Sequence, residues 1–484
     1  MKRNESDALS HPAAPRYSVG SLRYTKAGLA ALFAWMLWGD FCFTLMETVV
    51  PSIIPLSLKS LNASNVAISL IVVVLPGILY STVGVWVSFW SDRYRSRLGR
   101  RIPFILFTAP MLVVFLCGFG FHDRIAKGLY AMLPCHGHVT EASVGIVTIG
   151  VLMVGFAFFN NFVGAVYWYL FNDVVPECFL ARFMSLFRVV GTGTGAFYSF
   201  FVFRYAETHF REIFVAAALL YLFGFGLMCF KVREGEYPPP PENIGNRKDV
   251  WGGLVTFVRE CYCLPHYWYL FLMNTCVACS GTILMFTVFW HQSLGLGLKE
   301  IGIVSGAASI AGGVMILLSG WLADRYHPIR VVVIGLFAAV LMVTPLNAIW
   351  LFHSPAPNTA FLILLGITII ASPVLAFIGI GDPPLLMRIF PRERYGQFCG
   401  ANALFRNSTT TLGGIVAGVF LDFVKARCVD GDFAYRFIPI WMWFFQLGAL
   451  ICAILLYRSW KKYGGDELYH PPLPGLPAQA PAYQ

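Results

Sequence analysis

The stretch SDRYRSRLGRRIPF, from Ser91 to Phe104, decides the fold. It places five arginines and one aspartate between two long apolar segments. A shorter copy, ADRYHPIR, runs from Ala323 to Arg330 and again separates two apolar segments. Since positive residues collect in the cytoplasmic loops of membrane proteins, both stretches are interpreted as short cytoplasmic turns. Their repetition indicates an internal duplication of the chain.

The composition excludes an ordinary soluble protein. Of the 484 residues, 57% are hydrophobic and only 12% are charged, whereas a soluble domain carries about a quarter charged residues. The apolar residues form blocks of about 20 residues or more, the length needed to cross the hydrocarbon core of a bilayer. The first block follows a polar stretch and lacks the cleavage site of a signal peptide, so it is interpreted as a retained helix.

Twelve apolar spans predict an all-α membrane protein made of two six-helix bundles. A proline-containing stretch, EGEYPPPPENIGNRKD, separates the sixth span from the seventh and is interpreted as a linker. The expected division is a cytoplasmic tail (1–26), an N-terminal bundle (27–231), a cytoplasmic linker (232–265), a C-terminal bundle (266–458) and a disordered cytoplasmic tail (459–484). The predicted spans are 27–57, 66–90, 102–121, 144–171, 183–204, 212–231, 266–290, 301–323, 329–352, 359–388, 398–421 and 437–458.

The distribution of positive charge predicts the orientation. Of the 35 Lys and Arg residues, 24 fall on the side of the two termini and nine on the other side. This bias predicts a multi-pass protein of the plasma (inner) membrane with both termini in the cytoplasm. It also accounts for the net charge of +10 without a nucleic-acid partner. The 12 cysteines show no spacing typical of a metal site, and we expect no cofactor.

The turn carries a family resemblance. SFWSDRYRSRLGRRIPF resembles the inner-loop signature of the major facilitator superfamily, in the form found in sugar:cation symporters of the glycoside–pentoside–hexuronide and sucrose transporter group. GWLADRYHPIR, which begins at Gly320, is similar to the second-half copy, while Ser88 stands where the pattern has glycine. The resemblance covers nearly the whole chain. It implies a transporter with twelve helices and a substrate site between its halves, near the membrane midplane.

The resemblance also implies a gate on the cytoplasmic side. A carboxylate at the position of Asp92 can accept N–H bonds from the N-terminus of another helix. Arg93 and Arg101 can reach Asp173 at the end of span 4. Such pairs must break when that side opens, so their strength sets the balance of conformations; the alternative is that the arginines act only in topology. The candidate gating residues are Asp92, Arg93, Arg101, Asp173, Asp324 and Arg325.

Ionisable residues within the spans are functional candidates, because a charge in a membrane helix is costly unless it faces a cavity or a partner. Asp40 and Glu47 are seven residues apart on span 1, which puts both carboxyls on one helical face about 10 Å apart. Asp40 is the first candidate to carry the proton, and Glu47 is the second. Arg188 and Arg406 occupy corresponding spans of the two halves and can neutralise these acids or bind an anionic substrate.

The resemblance to sugar symporters implies an acid on helix 1 and an arginine on helix 5 at the substrate site, and Asp40 and Arg188 match. The chain then departs from the sodium-coupled members. Span 2 contains no acid, and Asn160 and Asn161 stand on span 4 where those members place an aspartate. Because sodium then lacks its oxygen ligands, a proton carried by Asp40 or Glu47 is the favoured coupling ion.

Span 4 also suits a sugar, which needs directional hydrogen bonds and an aromatic face. Asn160, Asn161 and Trp168 are candidates for these contacts, and Asn274 on span 7 is a weaker one. Asp382 precedes a pair of prolines and either caps a break in span 10 or faces the cavity. The predicted substrate-binding residues are Asp40, Arg188, Asn160, Asn161, Trp168, Arg406 and Asn274.

These features together predict proton-coupled symport of a sugar or another small polar solute by rocker-switch alternating access. The protein is expected to be a monomer in the lipid bilayer. The alternatives are an exporter of an amphipathic compound and a transport-inactive membrane sensor. An enzyme is not expected, since the sequence groups no His/Asp or Cys/His set at one membrane depth.

Overall fold

A computed structural model describes residues 17–19, 21–133, 139–235, 261–391, 394–428 and 430–472. Within these ranges, the structure does not describe the side chains at 84–86, 88, 89, 92, 93, 172, 177, 181, 316–324, 380–383, 396, 467 and 468. The side chains of four candidates named above, Asp92, Arg93, Asp324 and Asp382, are among them.

The first half of the chain folds into six long helices, spans 1–6, which we call the N-half. A small antiparallel hairpin, Ser18–Val19 paired with Leu22–Arg23, precedes them. Side-chain caps start several of the helices: Thr25 Oγ1 accepts the N–H of Gly28 before span 1, and Thr140 accepts that of Ser143 before span 4. The spans are Lys26–Ser60; Asn65–Ser69 with the π turn Leu70–Val74 and Leu75–Arg93; Ile102–Gly120, followed by the short helix His122–Met132; Glu141–Val174; Glu177–Phe197 with the π turn Tyr198–Val202 and the 3-10 turn Phe203–Tyr205; and Phe210–Lys231.

The second half repeats this layout in spans 7–12, which we call the C-half. The spans are Pro265–Thr282 with the 3-10 turn Ile283–Phe286 and Thr287–Gln292; Leu298–Arg325; Pro328–Ala338 with the π turn Ala339–Val343, Thr344–Ala348 and the 3-10 turn Ile349–Leu351; Pro357–Ile389; Tyr395–Lys425; and, after the 3-10 turn Gly431–Phe437, Ile438–Lys462. A last short helix, Gly465–Leu468, follows span 12.

Of the twelve spans in the described part of the chain, eleven are long and apolar enough to cross a membrane. The exception is span 11, Tyr395–Lys425, which has 31 residues but carries Arg406 and the polar run Asn407–Thr411. A helix this polar is stable in a membrane only when its polar face lines a cavity or meets another helix. The predicted twelve-helix, all-α fold is confirmed, and span 11 becomes a candidate lining helix.

The two halves share a core at one end of the molecule. We call the end where span 1 begins the terminal end and the opposite end the distal end. The larger cluster of buried apolar side chains joins the N-half to distal residues of the C-half such as Phe286, Phe289 and Tyr435. A second cluster, which includes Tyr267 and Trp460, lies within the C-half. The halves are therefore packed together on the distal side.

Two helix pairs make most of this contact between the halves. Span 2 packs against span 11, and the end of span 5 packs against span 8. The approach is close: a Cβ atom added to Gly77 would lie 2.7 Å from Thr411 Oγ1, and one added to Gly313 would lie 2.7 Å from Thr192 Cγ2. Small residues at such positions let helices approach closely in a membrane.

The chain after span 12 corrects one expectation. The region from 459 onward was expected to be a disordered tail, yet the helix continues to Lys462 and the chain remains packed to Pro472. Tyr469 donates a hydrogen bond to the carbonyl of Ile389 (2.9 Å), and Tyr267 donates one to that of Pro472 (2.8 Å). This segment therefore ties span 12 to spans 7 and 10 at the terminal end.

Candidate substrate site

A cavity of about 440 Å³ lies between the two halves. Spans 1, 2 and 4 supply its wall on one side, and span 11 closes it on the other. Its polar lining consists of one carboxylate, three carboxamides, two threonines and a tyrosine, and the rest of the wall is mainly apolar. The lining residues are Glu47, Val50, Pro51, Val73, Pro76, Gly77, Tyr80, Met153, Phe156, Ala157, Asn160, Asn161, Asn407, Thr410 and Thr411.

Glu47 is the acidic residue among the lining side chains. It lies near the middle of span 1 yet is exposed, because its side chain faces this cavity rather than a neighbouring helix. One carboxylate oxygen, Oε1, accepts a hydrogen bond of 3.1 Å from Nδ2 of Asn160. The acid on span 1 and the amide on span 4 are thus joined at the cavity wall, and Glu47 retains accepting capacity for a ligand.

The two asparagines of span 4 have unused hydrogen-bonding atoms. Oδ1 of Asn160 and Nδ2 of Asn161 are buried and make no hydrogen bond to any described residue. Asn161 is only 7% exposed and still lines the cavity. Buried polar groups are nearly always paired in proteins, since an unpaired one costs about 1–3 kcal/mol. An acceptor and a donor on consecutive residues are therefore unpaired at the cavity wall, where a rotation of either side chain would expose them to a ligand or water.

Asp40 lies behind the cavity wall and is only 1% exposed. Its Oδ1 accepts a hydrogen bond of 3.2 Å from Thr44, while Oδ2 is buried with no hydrogen-bond partner in the described part of the chain. Oδ2 faces span 5, where an added Cβ on Gly191 would lie 3.9 Å away. Arg188 is exposed, one turn earlier on span 5, and its charge acts on Asp40, as does that of Glu47. The two acids of span 1 therefore occupy different environments.

The remaining predicted binding residues fall in three places. Arg406 is half-buried on span 11, next to the lining residue Asn407. Trp168 is 42% exposed and packs edge-on against Phe187, the residue before Arg188. Asn274 is buried inside the C-half.

Asn274 donates a hydrogen bond of 3.4 Å to Asn402 on span 11, and neither residue lines the cavity. Asn274 therefore forms a polar contact between spans 7 and 11. Asn274 thus lies apart from Asn160 and Asn161, with which it was grouped in the sequence prediction.

Sequence reasoning missed the polar residues of span 11. Asn407, Thr410 and Thr411 line the cavity opposite Glu47, and Tyr80 of span 2 lines it as well. A signal for them was present, since NSTTT is an unusually polar run for a membrane helix. The side chains of this run carry no charge, so they are not among the ionisable residues that the sequence indicates as functional candidates.

The arginine-containing turn forms an ion cluster at the terminal end of the N-half. Asp173 at the end of span 4 accepts two hydrogen bonds from Arg100, at 3.0 and 2.6 Å, and one of 3.1 Å from Nε of Arg101. Arg101 also donates to Ser91 Oγ at 2.5 Å. The contact expected between Arg101 and Asp173 is present, but both residues belong to the N-half, so this pair does not join the halves as the expected gate would. Arg100 adds a bidentate partner that the sequence did not single out. Bidentate arginine–carboxylate pairs are among the stronger ion pairs in proteins.

Glu234, just after span 6, completes this cluster. Its carboxylate accepts the backbone N–H groups of Arg100, Arg101 and Ile102 at 2.9, 2.8 and 2.6 Å. Ile102 is the first residue of span 3 and Arg101 is its N-cap, where N–H groups have no intrahelical partner, and Arg100 directly precedes them. Gly99 has φ +106°, and an added Cβ there would lie 2.5 Å from Glu234 Cδ. The turn is thus fixed to spans 4 and 6 of its own half.

The second copy of the turn is built differently. His327 stands where the first copy continues its run of arginines, and its Nδ1 accepts the N–H of Ile329 (3.3 Å) at the start of span 9. Its ring centroid lies 4.4 Å from that of Trp460. Burial, reinforced by the charge of Arg388, lowers the pKa of His327 to about 4. The side chain of Arg325, a predicted gating residue, is exposed beside the ring of Tyr326.

Comparisons with known proteins agree with this architecture. The family profile of the Major Facilitator Superfamily matches residues 36–382. No curated protein sequence matches the chain at a significant level. The chain is similar in fold to the crystal structure of a D-xylose–proton symporter, with 12% identity over 89% of this chain and 97% of that one and a TM-score of 0.64.

Two further solved structures share the fold. One is the nucleoside transporter NupG (D323A mutant), with 15% identity over 89% of this chain and 100% of that one and a TM-score of 0.63. The other is a bacterial homologue of the human lysosomal transporter Spinster in an inward-facing and occupied conformation, with 16% identity over 92% and 99% and a TM-score of 0.63. Their substrates differ, so the likeness establishes the fold and leaves the substrate to be argued from the cavity.

Proposed function

Since the chain belongs to the Major Facilitator Superfamily, whose members are membrane transporters, we propose that it carries a small polar solute, most favourably a sugar or glycoside, together with a proton. The substrate binds in the cavity between the halves, where spans 1, 2, 4 and 11 meet. The cycle is rocker-switch alternating access, in which each half moves as a unit and the cavity faces one side of the membrane at a time.

The observation that carries this proposal is the pair of unused amide atoms on span 4. Asn160 offers a buried acceptor and Asn161 a buried donor. A hydroxyl group donates and accepts at once, so adjacent hydroxyls of a sugar satisfy both atoms. The apolar part of the wall, with Val73 and Phe156, suits the C–H face of a sugar ring. An ammonium group would satisfy Asn160 and leave the donor of Asn161 unpaired.

Proton coupling is assigned to the two acids of span 1, with Glu47 in place of Asp40 in the leading role, because Glu47 lines the cavity and Asp40 does not. Glu47 is exposed to the cavity and bonded to Asn160, so its charge state acts directly on the substrate contacts. Asp40 is buried behind the wall and interacts with Arg188, which makes it a second proton station. Sodium is disfavoured because Glu47 is the one carboxylate among the lining residues, and a sodium ion prefers several oxygen ligands.

The proposed orientation puts the terminal end in the cytoplasm, following the excess of Lys and Arg there. The halves are packed together at the distal end through spans 2, 5, 8 and 11. In this orientation the structure represents a state closed to the outside, from which substrate exchanges with the cytoplasm. The terminal-end cluster of Arg100, Asp173 and Glu234 fastens the turn within the N-half.

The test is uptake of labelled mono- and disaccharides into proteoliposomes with and without an imposed pH gradient. In Glu47→Gln we expect gradient-driven accumulation to fall at least tenfold while exchange of internal for external sugar continues, because the amide keeps the contact with Asn160 but carries no proton. Glu141→Gln, an exposed acid at the start of span 4, is the matched control and should transport normally.

Two results would contradict the proposal. If a sodium gradient and not a pH gradient drives uptake, the coupling assignment fails. If Glu47→Gln accumulates sugar like the unmodified protein, Glu47 is not the coupling group, and Asp40→Asn then tests the second station.

An exporter of an amphipathic compound is the second candidate, favoured by the apolar part of the cavity wall around Val50, Met153 and Phe156. The same proteoliposomes distinguish the two functions. An exporter accumulates a lipophilic dye in inverted vesicles and leaves sugars untouched. A transport-inactive sensor moves neither class of compound.

A further inference from the structure

A carboxylate of the C-half caps a helix of the N-half at the distal end. Asp422, near the end of span 11, accepts the backbone N–H of Asn65 at 3.1 Å and that of Val66 at 3.1 Å. It also accepts Nδ2 of Asn65 at 2.8 Å. Asn65 and Val66 form the first turn of span 2, whose N–H groups lack partners within the helix. Three hydrogen bonds to this one side chain therefore join the C-half to the N-half.

The electrostatics favour this contact. The N-terminus of a helix carries a partial positive charge, and a carboxylate placed there is stabilised by the helix dipole. Hydrogen bonds to a charged acceptor are about twice as strong as those between neutral groups. Asp422 is partly buried, so water screens the contact less than it would at an open surface.

The contact continues inward as a tight seam between spans 2 and 11. An added Cβ on Gly418, one turn before Asp422, would lie 2.8 Å from the carbonyl oxygen of Asn65. Further along, one added to Gly414 would lie 3.1 Å from Val73, which belongs to the π turn of span 2. The seam ends where Gly77 meets Thr411, and both of these residues line the substrate cavity.

A second contact flanks the first on the solvent side. Lys59 pairs with Asp432 at 3.0 Å and lies over the rings of Phe289 and Tyr435. Tyr435 donates a hydrogen bond of 2.9 Å to Oδ1 of Asn65. The Asp432 side chain is 55% exposed, and exposed ion pairs contribute little. Asp422 is therefore the stronger of the two acidic contacts that join the halves here.

We propose that Asp422 is a positioning residue for transport: by capping span 2 only while the distal side is closed, it sets the equilibrium between the two access states. When the halves separate at the distal end, Asn65 and Val66 lose this acceptor, so each turnover must break the cap. A ligand in the cavity would touch Thr411 and Gly77 at the inner end of the seam, so substrate and cap act on the same contact between the halves. The proposal rests on the alternating access of the proposed function and not on the identity of the substrate.

The experiment measures this equilibrium without any substrate. Spin labels at Glu141 and Asn358 report the distance between the halves at the distal end, since both residues are exposed at the distal starts of spans 4 and 10. Labels at Arg97 and Lys462 report the distance at the terminal end. The labels are attached to purified full-length protein in nanodiscs, in a background without reactive cysteines, and pulsed electron–electron distances are recorded.

We expect Asp422→Asn to raise the ratio of distal-open to distal-closed molecules about tenfold, because the three bonds lose their charged acceptor. The distal distance should lengthen while the terminal distance shortens. Asp123→Asn, an exposed distal acid whose ion-pair partner His122 is in its own half, is the matched control and should leave both distributions unchanged. If Asp422→Asn does not fold, Asn65→Ala replaces it, since this change removes one of the three bonds from the other side together with the bond that Tyr435 donates.

The two distances distinguish a change in the access equilibrium from a general loss of structure. Opposite shifts of the two distances support the proposal, and a merely structural role would broaden both distributions together. Unchanged distances in a folded Asp422→Asn would overturn it. Because no sugar is present, failure of sugar uptake in the earlier assay would leave this result untouched.

Discussion

Substitution of Glu234 tests what holds the arginine-containing turn in place. Its carboxylate accepts three backbone N–H groups at the start of span 3, from Arg100, Arg101 and Ile102. Hydrogen bonds to a charged acceptor contribute about 1.5–3 kcal/mol each, against about 0.5–1.5 for neutral ones. In Glu234→Gln one amide oxygen remains as a neutral acceptor and the favourable charge at the helix N-terminus is lost.

The expected loss of unfolding free energy is about 2–4 kcal/mol. Since an amide nitrogen cannot accept, one bond is lost, and those to the remaining oxygen are weakened by about 1 kcal/mol each. The shared acceptor makes these contributions less than additive. Glu234→Ala should cost more, because it leaves three N–H groups without their acceptor. The assay is thermal and denaturant unfolding of the purified protein in detergent.

Glu141→Gln is the control, because the Glu141 carboxylate also lies at the N-terminus of a helix but is exposed. An exposed charge at a helix terminus contributes about 0.3–1 kcal/mol. If Glu234→Gln and Glu141→Gln unfold alike, the three bonds do not stabilise the turn and the reasoning is refuted.

Two other predictions concern the two copies of the turn. Gly99→Ala should destabilise the protein and slow transport, because φ +106° is unfavourable for alanine and the new Cβ would approach Glu234; melting curves and uptake rates check this, and Gly128→Ala, where nothing lies within 4 Å, is the control. The pKa of His327 is about 4 in the folded protein, against about 6.5 for a histidine in an unfolded chain, so the unfolded chain binds more protons between these pH values. The free energy of unfolding therefore falls as the pH drops from about 6.5 to about 4. His327→Asn should flatten that part of the stability profile, and an unchanged profile would contradict the prediction.

The fold could be predicted from the sequence because its causes are local. The length and hydropathy of each span and the charges of the turns suffice to predict twelve helices in two halves. The resemblance of the Ser91–Phe104 turn predicted the superfamily, and the match over residues 36–382 confirms it. Span 11 is the informative exception, since its low hydropathy is explained by the cavity that Asn407, Thr410 and Thr411 line.

The candidate site could be predicted only in part, because the neighbours of a side chain are set by other helices. The seven-residue spacing puts Asp40 and Glu47 on one face of span 1. Yet Glu47 faces the cavity, while Asp40 is covered by span 5 at Gly191. No periodicity within span 1 distinguishes these two environments. Glu234 was missed for the same reason, since its partners lie more than one hundred positions away in the chain.

The contacts at the two ends of the molecule differ in what they join, and this difference has a mechanical consequence. At the terminal end, Asp173 and Glu234 fasten the turn to spans of its own half, and the segment around Tyr469 likewise fastens spans of the C-half. At the distal end, Asp422 and Asp432 join one half to the other. Contacts within a half make it rigid and are kept throughout a rocking cycle, whereas contacts between the halves must break in it. In the proposed cycle, the polar contacts that favour the distal-closed state therefore lie in the seam of spans 2 and 11, at the distal end of the same helices that line the cavity.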